Sequence, residues 1–241
     1  MIVHAESPGM AIPTPLGATE PPRSDGLLRW SRFLAATDAE GPGRRAALWV
    51  QGCSVRCPGC FNPQMWAPRG GELSSPSEIA TRWVAEAQAS GAAGVTLLGG
   101  EPFDQAEALS VVAQAFRDAG MSVMAFSGYS LASLQAWATQ REDIAALLAA
   151  TDLLCDGPFL QDHPDTRRPW IGSTNQGIRA LSPVYADDVL RIEAVGRADT
   201  LEVRIGADGL VSVNGWATDA ALSALFDDLG VRADRPQERV A

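Results

Sequence analysis

Between residues 46 and 155, short apolar runs take turns with segments of helical periodicity, and this alternation limits the chain to a small set of folds. Ala46 to Gln51, Gly94 to Leu98, Met121 to Phe126 and Asp152 to Cys155 have the length and apolar character of buried strands. Between them, Pro76 to Ser90 reads as a helix opening after Ser75, and Asp104 to Ala119 places Leu109, Val112, Ala113 and Phe116 on one helical face. Ser130 to Ala150 reads as one broken helix or two short ones. Strands joined by helices of this length form right-handed βαβ units around a parallel sheet, so the expected fold class is α/β. A chain of 241 residues with 46% hydrophobic side chains has enough material for one principal core.

The pattern stops at both ends. Residues 1–24 are rich in Pro, Gly and Ala without apolar periodicity, and read as a disordered or loosely attached arm. Beyond Pro183, Leu201 to Ile205 and Leu210 to Asn214 flank Gly206-Ala207-Asp208-Gly209 and read as a β-hairpin, with a short helix from Thr218 to Leu229 after it. The expected organisation is an arm over 1–24, a core domain over 25–183 and a small C-terminal α+β extension over 184–241.

Directly after the first of the four strands come Gly52-Cys53-Ser54-Val55-Arg56-Cys57-Pro58-Gly59-Cys60, which put three thiols in a loop at a strand's C-terminal end. That edge of a parallel sheet is where ligands bind. A 4Fe-4S cluster held by three thiolates keeps one iron open to an exogenous ligand, which S-adenosylmethionine (SAM) can chelate through its amino and carboxylate groups. The alternatives are a reactive or merely buried set of thiols and a structural zinc site, which requires a fourth ligand such as Cys155 or His163. Cys155 reads as a small buried strand residue, while His163 and His4 lie in polar segments and receive no role.

Two further motifs end strands in the same way. Gly99-Gly100-Glu101-Pro102 offers glycines for close backbone approach and a carboxylate that can pair with a cationic amine. In isolation it could equally be a turn before a helix. Ala125-Phe126-Ser127-Gly128-Tyr129 ends the third strand with a hydroxyl and a glycine suited to a carboxylate or ribose, or with a simple Ser cap.

Taken together, these blocks resemble the radical SAM activating enzymes of glycyl radical enzymes, the group that includes the activators of anaerobic ribonucleotide reductase. The resemblance runs from about Glu40 to Leu181. Its blocks are Glu40-Gly41-Pro42-Gly43-Arg44, Cys57-Pro58-Gly59-Cys60-Phe61-Asn62 with Trp66, Gly99-Gly100-Glu101-Pro102, Ser127-Gly128-Tyr129, Asp156-Gly157-Pro158-Phe159 with Gln161-Asp162, and Gly172-Ser173-Thr174-Asn175-Gln176. The resemblance implies a partial (β/α) barrel of the radical SAM type, with a 4Fe-4S cluster and SAM as cofactors. It implies flavodoxin or ferredoxin as electron donor, and a deoxyadenosyl radical that removes a glycine Cα hydrogen from a partner such as anaerobic ribonucleotide reductase. By position, Cys53, Cys57 and Cys60 would ligate the cluster, and Gly99, Gly100, Glu101, Ser127, Gly128, Phe61 and Asn175 would belong to the cofactor site. Asp156 would be the catalytic side chain at the open edge, near the radical and the docked glycine, and Gln176 falls in the same terminal block as Asn175. Two departures bear on the substrate. Ile171 stands where the resembled proteins carry an arginine, removing a donor fork from the expected rim, and the tail after Pro183 exceeds theirs.

Charge and cysteine use narrow the setting. A formal net charge of -10 leaves no basic footprint for nucleic acid. The first residues show no basic region followed by an apolar run, and no apolar stretch reaches membrane-spanning length. Three of four cysteines packed into eight residues suit a reducing cytoplasm better than a disulfide framework. Two other functions remain in competition: a radical SAM enzyme acting on a small molecule or peptide, and a noncatalytic metal-binding module, for which a SAM clamp would be superfluous.

Overall fold

The structure is a computed structural model that describes residues 19–23, 25–205, 211–215, 219–228 and 230. Its centre is a seven-stranded sheet in the order β3-β1-β2-β4-β5-β6-β7, formed by β1 (Leu28–Thr37), β2 (Arg45–Val50), β3 (Glu72–Ser74), β4 (Gly94–Gly99), β5 (Ser122–Ser127), β6 (Leu153–Asp156) and β7 (Gly177–Ala180). β2, β4, β5 and β6 run parallel, while β1, β3 and β7 join antiparallel at the edges. Helices α1 (Pro76–Ala89), α2 (Ala106–Asp118), α3 (Leu131–Ala138) and α4 (Glu142–Ala150) connect them. After β7 come α5 (Ala186–Val195), a separate two-stranded ladder of β8 (Leu201–Ile205) and β9 (Val211–Gly215), and α6 (Asp219–Asp228). The result is a mixed α/β fold with a parallel centre.

Strand alternation explains why the central runs are apolar on both sides. Leu48, Val50, Val95, Leu97, Val123, Ala125 and Leu154 enter the large core beneath α1 to α4. Their neighbours Ala47, Trp49 and Leu98, together with Met124, Leu153 and Cys155, face the other way into two smaller clusters. α5 covers part of that second face through Ile192. Ile171 is 3% exposed in the same cluster. This corrects the expectation for that position: the Ile171 side chain fills core, and no rim contact depends on it.

Several element bounds also shift. β4, β5 and β6 each continue one residue past the apolar run, because ladder pairing extends through Gly99, Ser127 and Asp156 irrespective of polarity. The expected helix from Asp104 opens instead as a 3-10 turn over Pro102–Gln105 before α2, with the Glu101 side chain accepting the Phe103 N–H. Ser130 to Ala150 resolves into two helices, α3 and α4. The structure adds β1, β3, β7 and α5, which no periodicity in the sequence signals. Residues 1–18, which include His4, and the expected turn 206–209 lie outside the described residues, as do Thr218 and Leu229 at the ends of the expected last helix. Among the described residues no helix is long and apolar enough to cross a membrane.

Trp83 of α1 shows how the added edge strand is held. Its ring is 1% exposed, meets Trp30 edge-on at 5.1 Å and stacks on Phe33 at 4.7 Å, both of them on β1. Trp83→Ala should therefore lower stability by about 3–5 kcal/mol, read from the urea midpoint of the metal-free protein.

Candidate functional site

The C-terminal ends of β2, β4 and β5 open into one cavity of about 560 Å³, a volume ordinary for a cofactor site. Cys53, Cys57 and Cys60 line it, together with Gly99, Gly100, Glu101, Ser127, Gly128 and Phe61. Glycine is required where these segments meet. A Cβ on Gly100 would lie 2.0 Å from the Gly52 carbonyl oxygen, and one on Gly99, where φ is +106°, would lie 2.6 Å from the Val50 nitrogen. The Gly100 and Glu101 amides then donate to the Val50 and Gly52 carbonyls at 2.8 and 2.9 Å, fixing the cysteine loop against the end of β4.

A second tether was not anticipated from sequence. Asp104 accepts the Ser54 N–H at 2.7 Å, the Ser54 hydroxyl at 2.8 Å and the Tyr129 hydroxyl at 2.8 Å. One carboxylate thus joins the cysteine loop, the turn after β4 and the loop after β5. Burial pushes the Asp104 pKa up, against the hydrogen bonds that favour its charged form.

Glu101 is 1% exposed. It accepts the Ser127 hydroxyl at 2.9 Å, the Gly128 N–H at 2.7 Å and the Phe103 N–H at 3.0 Å. Burial, and then the nearby Asp104 carboxylate, raise its pKa. A carboxylate has about four acceptor sites, so three internal donors leave room for one more at the cavity wall.

The thiols are all free and partly exposed. Burial pushes Cys53 up to about 12 and raises Cys57 as well, so the protein surroundings alone favour thiols, and a bound cation would stabilise the thiolates. Backbone amides already point at the sulfurs: Arg56 N–H at Cys53 Sγ and Asn62 N–H at Cys60 Sγ, each 3.4 Å. Such bonds to sulfur are a means by which proteins tune iron-sulfur clusters. Among the described residues, no group of three or more Cys, His, Asp or Glu side chains is gathered for a single metal ion. A cubane asks for something different, one thiolate at each of three separate irons, and a three-cysteine set facing one cavity fits it. Cys155, 1% exposed in the core, and His163, in an exposed loop, do not line the cavity.

The remaining residues of interest fall on the far wall. Phe61 and Phe159 pack with ring centroids 5.4 Å apart over Gly172, where a Cβ would come within 2.8 Å of the Phe159 ring. Gln176 lines the cavity and holds the loop from both ends, accepting the Gly172 and Ser173 amides and donating to the Gly157 carbonyl. Asn175 sits behind the wall, donating to the Pro158 carbonyl at 2.7 Å, with its Oδ1 buried and unpartnered. Asp156 is also behind the wall, 6% exposed. Its carboxylate accepts the Leu131 N–H at the start of α3 at 2.8 Å and pairs with Arg179 at 3.0 Å.

Comparison with known proteins agrees with this geometry. A family model described as a 4Fe-4S single cluster domain matches residues 39–179. The anaerobic ribonucleoside-triphosphate reductase-activating protein of Vibrio cholerae is 32% identical over 162 residues, covering 64% of this chain and 99% of the relative. The protein of the same name from Salmonella typhimurium is 29% identical over 160 residues with the same coverage, and that of Enterobacteria phage T4 is 28% identical over 157 residues, covering 62% and 92%. A match across more than half of the chain, and relatives aligned over nearly their whole length, establish that the chain belongs to the 4Fe-4S family of anaerobic ribonucleoside-triphosphate reductase-activating proteins.

Proposed function

We propose that this protein is a radical SAM enzyme that places a glycyl radical on a partner enzyme, with anaerobic ribonucleotide reductase the first candidate. The observation that carries the reading is the sharing of one cavity by the three-cysteine loop and the Gly99-Gly100-Glu101 and Ser127-Gly128 strand ends. A 4Fe-4S cluster bound there with one open iron would supply, once reduced by flavodoxin or ferredoxin, the chemistry for reductive cleavage of SAM.

The chain's own residues bind, orient and exclude water. Cys53, Cys57 and Cys60 would hold three of the cluster's irons. Glu101 accepts the methionine amine of SAM with its remaining acceptor site, and the Gly99-Gly100 backbone lies close beside it. Ser127 and Gly128, whose donors are taken by Glu101, hold that carboxylate in place. Phe61 forms an apolar wall with Phe159. Asn175 and Gln176 shape the loop on the far wall, and Asp156, at the end of β6, acts by position, holding the start of α3 and Arg179 of β7. The sheet's parallel centre and open edges support the partial barrel of the radical SAM type. In this reading residues 25–183 carry the cofactors, 184–241 form an extension, and the setting is an anaerobic cytoplasm.

The test is electron paramagnetic resonance on the reduced, SAM-loaded protein mixed with a glycyl radical enzyme from the same source. The expected result is a doublet on the partner that collapses to a singlet when the glycine Cα hydrogen is replaced by deuterium. No protein radical, together with deoxyadenosine formation that depends on a small metabolite or free peptide, would overturn the activase reading in favour of a radical SAM enzyme with that substrate.

A further inference from the structure

Among the described residues that line the cavity, Glu40, Glu101 and Asp199 carry carboxylates and Arg32 alone carries a positive charge. β1 directs that charge to the cavity side. Its pairing with β2 shifts register between Trp30 and Arg32, and across this irregularity Trp30 and Phe33 join the large core, whereas Leu34 packs with Trp49 and Leu98 on the opposite face. Arg32 stands two residues before Leu34, on the same face, and opposite Trp49 in the ladder. Its guanidinium lies over the Trp49 ring at 5.0 Å, and Trp49 lines the cavity beside it.

The donors of that guanidinium are unspent. Among the described residues no hydrogen bond or ion pair engages it; Glu40 and Glu202 attract it and Arg204 repels it through space, and half-burial costs it more than Glu40 returns. The neighbouring carboxylates are held by other groups. Glu40 accepts the Gly215 N–H at 3.2 Å, while Glu202 accepts the Thr37 hydroxyl and pairs with Arg204 at 2.8 Å. Asp199 accepts the Trp170 N–H at 2.7 Å and has the Arg197 charge beside it. Three guanidinium groups thus balance three carboxylates along this stretch of wall, and no net field selects a ligand. The unused fork of Arg32 does. Held over an aromatic ring with its edge donors open, it matches a carboxylate, which can take two parallel N–H bonds. A phosphate group would bring close to two negative charges to a place where the charges already balance.

SAM carries its carboxylate on the same carbon as the amine assigned above to Glu101. Glu101 follows β4, and β1 is two strands from β4 across β2, roughly 10 Å at the usual strand spacing. That separation favours a carboxylate on the substrate over the one on SAM.

We propose that Arg32, stacked on Trp49, is a specificity-determining residue that binds an acidic side chain of the substrate segment next to the reacting glycine. The proposal rests on the reading above that the substrate is a protein segment, and adds what that segment must carry.

The test uses the anaerobically reconstituted full chain with SAM and no reductant, titrated with short peptides and followed by saturation-transfer NMR. Two pairs are compared, N-acetyl-Asp-Gly amide with N-acetyl-Asn-Gly amide, and N-acetyl-Gly-Asp amide with N-acetyl-Gly-Asn amide, so that only the charge changes within a pair. The Asp member of at least one pair should bind about tenfold more tightly than its Asn partner, Arg32→Gln should remove that preference, and Arg32→Lys, which keeps the charge without the fork, should retain part of it. Equal binding within both pairs, or a preference kept in Arg32→Gln, overturns the proposal. Should Arg32→Gln fail to fold, the Asp-to-Asn ratios on the unaltered protein and on Arg32→Lys decide. SAM affinity in the same samples separates the sources of the carboxylate: its loss in Arg32→Gln would assign the guanidinium to the cofactor and overturn the substrate site. Failure of the unaltered protein to bind SAM would remove the radical SAM assignment, whereas SAM binding without an Asp preference would remove only the role of Arg32.

Discussion

Replacing Cys53, Cys57 or Cys60 with Ala should abolish the cluster, while Cys155→Ala should leave it in place. Anaerobic reconstitution of the unaltered protein should incorporate about four irons and four sulfides, because three thiolates suffice for one cubane. Each of the three cysteines lines the same cavity, and removing one leaves an iron corner with no protein ligand. Cys155 has a different environment: it is 1% exposed among Met124, Leu153 and Ile178, and burial raises its pKa, so it remains a thiol that packs. Iron and sulfide analysis with the visible absorption of each variant checks the prediction. Stoichiometric zinc in protein isolated without oxygen, with no iron uptake, would refute it.

The parts of this fold legible in the sequence are those where two signals coincide. β2, β4, β5 and β6 are buried on both faces, so their apolar runs stand out against amphipathic helices of a different period. β1 escaped because its sequence, Leu-Arg-Trp-Ser-Arg-Phe-Leu-Ala-Ala-Thr, mixes charged and apolar residues, and its pairing with β2 shifts register between Trp30 and Arg32 and again between Leu34 and Thr37. β3 and β7, of three and four residues, are too short for any pattern to register. The site shows the same division. Cys53, Cys57, Cys60 and the glycines could be read because spacing and residue type alone point to their chemistry. Asp104 could not, since a lone polar side chain acquires meaning only from what folding places beside it, here Ser54 and Tyr129. Ile171 illustrates the reverse error. Its position in a motif suggested a rim, while its burial beside Ile178 and Ile192 shows that the backbone there turns the side chain into the core.

Glu101→Ala should keep the cluster and weaken SAM binding about ten- to a hundredfold, the effect of losing a charge-assisted hydrogen bond worth about 1.5–3 kcal/mol. The structure explains why this residue, among several carboxylates near the cavity, is the one to remove. Its side chain is held by the Phe103 N–H, the Ser127 hydroxyl and the Gly128 N–H, so its orientation is fixed before any ligand arrives. Preorganisation of this kind spares the ordering cost that a mobile acceptor would add on binding. Those three donors favour the carboxylate, yet burial outweighs them and raises its pKa; a cationic amine would supply a counter-charge. Truncation to Ala also strands the three donors in a buried place, so Glu101→Gln is the necessary companion. The Gln oxygen can accept from Phe103 and Ser127, but its NH2 group then faces the Gly128 N–H, 2.7 Å from the oxygen it replaces, where two donors oppose each other. Both variants should therefore bind SAM more weakly than the parent, with Gln the milder if lost packing dominates and the two alike if lost charge dominates. Equilibrium dialysis of SAM against cluster-loaded protein measures the difference, and parental affinity in both variants would place the amine elsewhere in the cavity.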